Sequence, residues 1–215
     1  MKLLLTSTGL ANNSIKNALK KLAGKEMKIA FIPTAANIIS EEKDWLIKDL
    51  VNFGSVGSVD IVDISALEKR YWLPRLEKAN VIAVGGGDTS YLMEWVIKSG
   101  LDKEFSDLLK TRVYVGISAG SIILSESIQT SSEYLFKLYE DEVKNAPKGV
   151  GLINFDVRPH LNSSFFPKVT EENLKKVFKN FKEDLYALDD NSAIVFNDGK
   201  IEVVSEGKWV KYEKG

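Results

Sequence analysis

Two features of this 215-residue chain have the residue types for covalent chemistry: Gly116-Ile117-Ser118-Ala119-Gly120 and a single histidine, His160. A serine hydroxyl is a poor nucleophile until a base removes its proton. The pentapeptide fits the G-x-S-x-G pattern, which holds a serine on a sharp turn between a strand and a helix. Such a turn exposes the hydroxyl and aims backbone N–H groups, with the positive end of the helix, at a reacting oxygen. If an imidazole activates Ser118, it belongs to His160, because the chain has no other histidine, and no cysteine competes as nucleophile. An acid is then needed to orient the imidazole and stabilise its cation. Glu126, Glu133, Asp156, Asp189 and Asp190 are candidates, and spacing alone does not choose among them.

A second constellation is Gly85-Gly86-Gly87-Asp88-Thr89. Three glycines allow a backbone approach that any Cβ would block. Their N–H groups could complete an oxyanion hole facing Ser118, or they could cradle a phosphate. The dinucleotide pattern G-x-G-x-x-G fails because Ser90 stands where the third glycine belongs, and no Gly-Lys-Ser/Thr follows to make a P-loop. The Asp88 side chain is expected to cap the following helix.

Both constellations must be held by a scaffold, and the residue pattern describes one. Apolar, β-type runs at 2–7, 27–32, 59–64, 80–84 and 112–117 alternate with helical patterns at 14–22, 89–98 and 101–110. A further helix is expected after Ser40, with Glu41 and Glu42 in its first turn and Trp45, Leu46, Asp49, Leu50 and Phe53 on its inner stripe. The segment 67–77 is mixed and interrupted by proline. This βαβα order predicts an α/β fold with a mostly parallel sheet covered by helices on both faces. Ligands in such sheets bind at the carboxyl rim, where Gly87 and Ser118 fall. A strand at 150–157 would bring His160 to the same rim. A helix at 171–181 follows, then a β-rich tail with short strands at 185–188, 192–196, 201–204 and 208–212 and a tight turn at Asn197-Asp198-Gly199-Lys200. Without repeats or a long linker, 1–215 reads as a single domain.

Composition narrows the partners. The 29 basic and 30 acidic residues nearly cancel, which argues against a surface built for nucleic acid or an anionic membrane. The absence of cysteine excludes disulfides and thiolate metal sites, and one histidine excludes a histidine-rich one. The apolar start, MKLLLTSTGL, is too short for a signal peptide, and no stretch is long enough to span a bilayer. A soluble, cytoplasmic protein needing no metal or organic cofactor is the expectation. Trp45, Trp72 and Trp95 are expected to pack helices on the sheet, and Trp209 to be partly exposed.

The segments VGGGDTSYLME at 84–94, GISAGSI at 116–122 and the Pro159-His160 pair resemble the peptidase E family of serine peptidases, which includes the cyanophycinases. The similarity runs over most of the chain, from LLLTSTG near the N-terminus to the Asp-Gly hairpin. It implies a three-layer α/β/α sandwich of flavodoxin-like type, related to class I glutamine amidotransferase domains. It also implies Ser118 as nucleophile, His160 as base, and an oxyanion hole from the backbone N–H groups of Gly87 and Ala119. The family carries an aspartate between serine and histidine, and the position reached by aligning forward from Ser118 holds Glu133. The resemblance thus implies a Ser118–His160–Glu133 triad acting on a small peptide. The family's preference for an N-terminal aspartate relies on an arginine beyond the histidine. Glu171 stands near that place, so the preference does not carry over unless Lys168 or Arg158 substitutes. A non-catalytic module that binds an anion or a nucleotide on the same fold is the alternative. The residues do not give an oligomeric state.

Overall fold

The computed structural model describes residues 1–139 and 146–214. In chain order its first elements are β1 (Lys2–Thr6), α1 (Asn13–Ala23), β2 (Lys28–Ile32), α2 (Asp44–Gly54), β3 (Ser58–Ile61), α3 (Lys69–Lys78) and β4 (Val81–Val84). Then come α4 (Thr89–Ser99), α5 (Leu101–Leu108), β5 (Val113–Ile117), α6 (Ala119–Ile122), α7 (Ser132–Tyr139) and β6 (Phe155–Arg158). The chain closes with α8 (Glu171–Phe178), β7 (Asp184–Leu188), β8 (Ser192–Asn197), β9 (Lys200–Ser205) and β10 (Trp209–Tyr212).

Seven strands form one sheet in the order β3-β2-β4-β5-β1-β8-β9. The first five run parallel, while β8 adds antiparallel to β1 and β9 antiparallel to β8. Side chains alternate between its faces, as a strand's period of two requires. Leu3, Leu5, Ala30, Ile32, Ile82, Val84 and Tyr114 enter one core. Leu4, Ile29, Phe31, Val81, Ala83, Val113, Val115 and Ile117 enter the other. The first core is closed by Trp72 and Leu76 of α3, Val96 of α4 and Phe105 of α5. The second is closed by Ile15, Leu19 and Leu22 of α1 and Phe53 of α2. Apolar residues on both faces of the central strands therefore yield the three-layer sandwich that the pattern predicts.

The β-rich tail does not stay apart. β8 and β9 extend the main sheet beside β1, whereas β6, β7 and β10 make a second sheet in the order β10-β7-β6. A third core of Leu161, Val169, Leu174, Val177, Leu185 and Ala187 packs α8 against that sheet.

Two expectations shift. The strand foreseen over 150–157 forms only at Phe155–Arg158, because the N–H groups of Val150, Gly151, Leu152 and Ile153 donate to carbonyls at 123–125 instead. Ser40 caps no helix: α2 starts at Asp44 after Lys43, without a side-chain cap, and only Asp49 and Phe53 of its stripe are fully buried. Helix α7 was not foreseen. Trp72 is fully buried and Trp209 is 41% exposed, as their contexts predict. No helix among the described residues is long and apolar enough to cross a membrane.

Candidate active site

Ser118 follows β5 at the carboxyl rim of the sheet, where Thr6 pairs with Ile117 and Val84 with Gly116. Its φ of 50° and ψ of −109° are unusual for a side-chain-bearing residue and cost about 1–3 kcal/mol. Contacts on both sides hold the turn. The Ser118 N–H donates to the Thr6 carbonyl at 3.0 Å, and the Ser118 carbonyl accepts from Ser121 and Ile122 at 2.9 and 3.1 Å. Helix α6 leaves the elbow so close to β4 that a Cβ on Gly120 would lie 2.1 Å from the Val84 carbonyl oxygen. The buried Tyr114 hydroxyl donates to the Gly120 carbonyl at 2.6 Å.

The triple-glycine turn packs against this elbow. A Cβ on Gly86 would come within 3.2 Å of the Ser118 Cβ. Gly87 has φ +134°, and a Cβ there would lie 2.2 Å from the Ala35 carbonyl oxygen. Among the described residues, the N–H groups of Gly87 and Ala119 have no protein acceptor. Asp88 caps α4, its side chain accepting from the Tyr91 N–H at 2.7 Å.

His160 arrives from the end of β6. Its Nε2 is 2.9 Å from Ser118 Oγ, and its Nδ1 is 2.7 Å from Asp190 Oδ1. A carboxylate only accepts, so Nδ1 carries the proton, and Nε2 is left to accept from the serine hydroxyl. The histidine backbone has φ 64°, and its N–H donates to Ser7 Oγ at 3.2 Å. Asp190 belongs to the turn between β7 and β8, and the Thr8 hydroxyl donates to its peptide carbonyl at 2.7 Å. Burial pushes the Asp190 carboxyl up. The hydrogen bond from His160, the imidazole charge and a hydrogen bond from Ser163 outweigh this and hold it below the usual range. One ring face is covered: Phe166 stacks on the imidazole with centroids 4.4 Å apart and planes 17° from parallel. Its neighbour Phe165 is 86% exposed.

The other acids do other things. Glu133, aligned to the third position of a triad, lies on α7. Its carboxylate accepts from Ser90 Oγ at 2.8 Å and pairs with Lys137 at 3.4 Å, away from the imidazole. The carboxylate on His160 Nδ1 is therefore Asp190, not Glu133. The forward alignment fails because the acid comes after the histidine in the chain, on the turn that follows β7. Since β7 runs parallel to β6, both strands end on one rim. The run Leu188-Asp189-Asp190 at the end of an expected strand was the signal that could have found it. Asp189 instead holds its own turn, accepting from the Asn191 N–H and the Ser192 hydroxyl. Asp156 is buried and accepts from Gln129 at 2.7 Å, and Glu126 is exposed.

Arg158, one of the two residues considered for reading a substrate carboxylate, is also engaged. Arg158 is 1% exposed. Its guanidinium donates to the Thr130 carbonyl at 2.6 Å and to Ser132 Oγ at 3.2 Å, which ties β6 to the start of α7. Glu171 pairs with Lys208.

Known proteins resemble this chain over most of its length. The model of peptidase family S51 matches residues 3–204. An uncharacterized peptidase of Listeria monocytogenes is 27% identical over 191 residues, covering 83% of this chain and 85% of that protein. An uncharacterized peptidase of Pasteurella multocida is 28% identical over 180 residues, covering 79% and 81%. Among solved structures, a candidate peptidase E protein from Listeria monocytogenes EGD-e superposes with a TM-score of 0.74 at 23% identity, over 96% of this chain and 98% of that one. A peptidase from an acI-B1 Actinobacterium gives 0.75 at 20%, over 100% and 94%.

Proposed function

The chain belongs to peptidase family S51, and from that premise we propose that it is a serine-type peptidase acting on small peptides through Ser118, His160 and Asp190. The observation that carries the reading is the pair of contacts on the one imidazole, 2.9 Å to the serine hydroxyl and 2.7 Å to the carboxylate. In this reading His160 takes the Ser118 proton as Oγ attacks the peptide carbonyl. Asp190 keeps Nδ1 protonated and stabilises the imidazolium that forms. The N–H groups of Gly87 and Ala119, which have no acceptor among the described residues, hold the oxyanion. The imidazolium then protonates the leaving amine. The same base next activates a water that releases the acyl group and restores the Ser118 hydroxyl.

Specificity for an N-terminal aspartate is not part of the proposal. The Arg158 guanidinium is buried against Thr130 and Ser132, and Glu171 puts a negative charge near the place where the family's arginine would stand. A panel of dipeptides and short peptides with free and blocked N-termini is the way to define the substrate.

A fluorophosphonate probe tests the nucleophile. It is expected to label the wild type and not Ser118→Ala, whose kcat/KM on the best substrate of the panel falls by at least about a thousandfold. Labelling that persists in the alanine variant would remove Ser118 from this role.

A further inference from the structure

The two hydrogen bonds on His160 leave one motion of its ring unrestrained. Each bond fixes one nitrogen, and together they define a line through Nδ1 and Nε2. The ring can still rock about that line. Because the outward directions of the two nitrogens diverge from it, rocking swings both away from Asp190 and Ser118. The link through Cγ to Cβ limits this motion in part, and contact with a ring face limits it further; Phe166 makes such a contact, 4.4 Å away and within 17° of parallel.

The loop that delivers Phe166 is tied down at short intervals. Ser163 N–H donates to the His160 carbonyl, Phe166 N–H to Ser163, and Val169 N–H to Phe166. Asn162 N–H donates to the Val169 carbonyl at 2.7 Å, which closes the loop on itself. Leu161 and Val169 anchor its two ends in the third core at 1% and 0% exposure. His160 and Asn162 both take positive φ, at 64° and 57°, a conformation uncommon for side-chain-bearing residues but more accessible to Asn and His than to most. Phe166 is half-buried and also packs against the third core, whereas the adjacent Phe165 is 86% exposed. One phenyl ring of the pair is laid on the imidazole and the other is left in water.

A phenyl face carries partial negative charge, so it favours a cation stacked on it. It therefore supports the imidazolium more than the neutral imidazole, and the imidazolium is the form present when the leaving amine takes its proton. Other charged groups lie nearby among the described residues. Asp190 is at Nδ1. The Arg158 guanidinium lies 5.7 Å from the Phe166 centroid and competes for the same π-system. Asp189 directs its carboxylate to Asn191, Ser192 and the Lys208 N–H. Lys168 lies in the same loop, two residues after Phe166.

We propose that Phe166 is a positioning residue for His160: its ring fixes the tilt of the imidazole and favours the imidazolium formed during turnover. The inference rests on the serine-peptidase reading for its kinetic consequence, but not for its effect on the histidine itself. Because His160 is the only histidine, its ring protons can be followed by NMR without assignment. Phe166→Leu is expected to broaden the Nδ1 proton resonance or move it upfield, as the tilted ring loosens its hydrogen bond to Asp190. It is also expected to reduce kcat by about tenfold with KM changed less than about threefold. Phe166→Tyr, which keeps the ring, is expected to return the resonance and to hold kcat within about twofold of the wild type. Thermal melts of each variant separate this from general loosening of the loop. Should Phe166→Leu prove unfolded, Phe166→Met carries the same test. A folded Phe166→Leu whose Nδ1 resonance and kcat both match the wild type would overturn the proposal. A changed resonance beside an unchanged kcat would overturn the kinetic half. If Ser118→Ala kept full activity, the triad reading would fail while the change at Nδ1 still stood.

Discussion

At the scale of single residues, His160 asks two things of one carboxylate. The acid must accept from Nδ1, so that the free lone pair sits on Nε2, and it must stay ionised while partly buried. Asp190 meets both, with the 2.7 Å contact and with a carboxyl held low despite burial by His160 and Ser163. Asp190→Asn can instead donate to Nδ1, which leaves the wrong tautomer and a protonated Nε2. Its kcat is expected to fall by roughly a thousandfold or more. Glu133→Gln loses a hydrogen bond from Ser90 and an exposed pair with Lys137, so kcat/KM is expected to stay within about threefold and stability within about 0.5 kcal/mol. Steady-state kinetics on the two variants, side by side, decides between the carboxylates. A severe loss in Glu133→Gln with a mild one in Asp190→Asn would reverse the assignment. The contrast also shows what a sequence conveys about a site. Ser118 was legible because its neighbours at 116 and 120 make the turn locally. Asp190 stood in the sequence only as one of five candidates, because its contact depends on two strand ends meeting across the second sheet.

At the scale of elements, the elbow works because α6 crosses β4 with no side chain between them. Gly120→Ala would place a methyl carbon 2.1 Å from the Val84 carbonyl, which a rotamer change cannot relieve. Either the helix lifts or the strand shifts. Destabilisation of about 2–4 kcal/mol is expected from a urea midpoint, with loss of probe labelling at Ser118 in whatever protein remains folded. Gly54→Ala is the control: nothing lies within 4 Å of its added carbon, and it is expected to be neutral or stabilising by up to about 1 kcal/mol. Equal losses in the two variants would mean that close packing of α6 on β4 is not what holds the elbow. The same element logic separates what the sequence conveyed from what it did not. Val81–Val84 reads as a central strand because all four residues are apolar and both faces are covered. Residues 150–153 look equally strand-like, yet their N–H groups are taken by carbonyls at 123–125 after α6. That competition is between segments far apart in the chain and has no local signature. The start of α2 was misplaced for a simpler reason: Ser40 has the chemistry of a cap, but the chain does not turn into a helix until Asp44.

At the scale of the whole molecule, two buried carboxyls set how stability follows pH. Burial raises Asp49 of α2, which faces Gly9, from 3.8 to about 7, with only Lys48 opposing. Burial also raises Asp156 of β6 from 3.8 to about 7, opposed by the Gln129 hydrogen bond and aided by Glu183 and Glu126. Both groups hold their protons in the folded state at pH values where the unfolded chain has released them. Between about 4 and 7 the folded state therefore binds more protons, and stability falls as pH rises, levelling off above about 7. Each shift corresponds to a loss on the order of 4 kcal/mol across that window. Asp190 and Asp63 act in the opposite sense. Their folded carboxyls are held low, so the stability they add is present above the unfolded value and disappears as pH falls through the folded one. The two trends together place greatest stability on the acid side of neutrality, near the lower end of the window. Activity in the proposed mechanism needs the opposite condition, an unprotonated Nε2 on His160. Urea unfolding measured at intervals from pH 4 to 8 is expected to show the decline in the wild type. Asp49→Asn and Asp156→Asn, which are neutral at every pH, are each expected to flatten part of it, and the double variant most of it. If the wild-type profile is level across the window, these carboxyls are not held protonated by the fold, and the argument from burial fails for both.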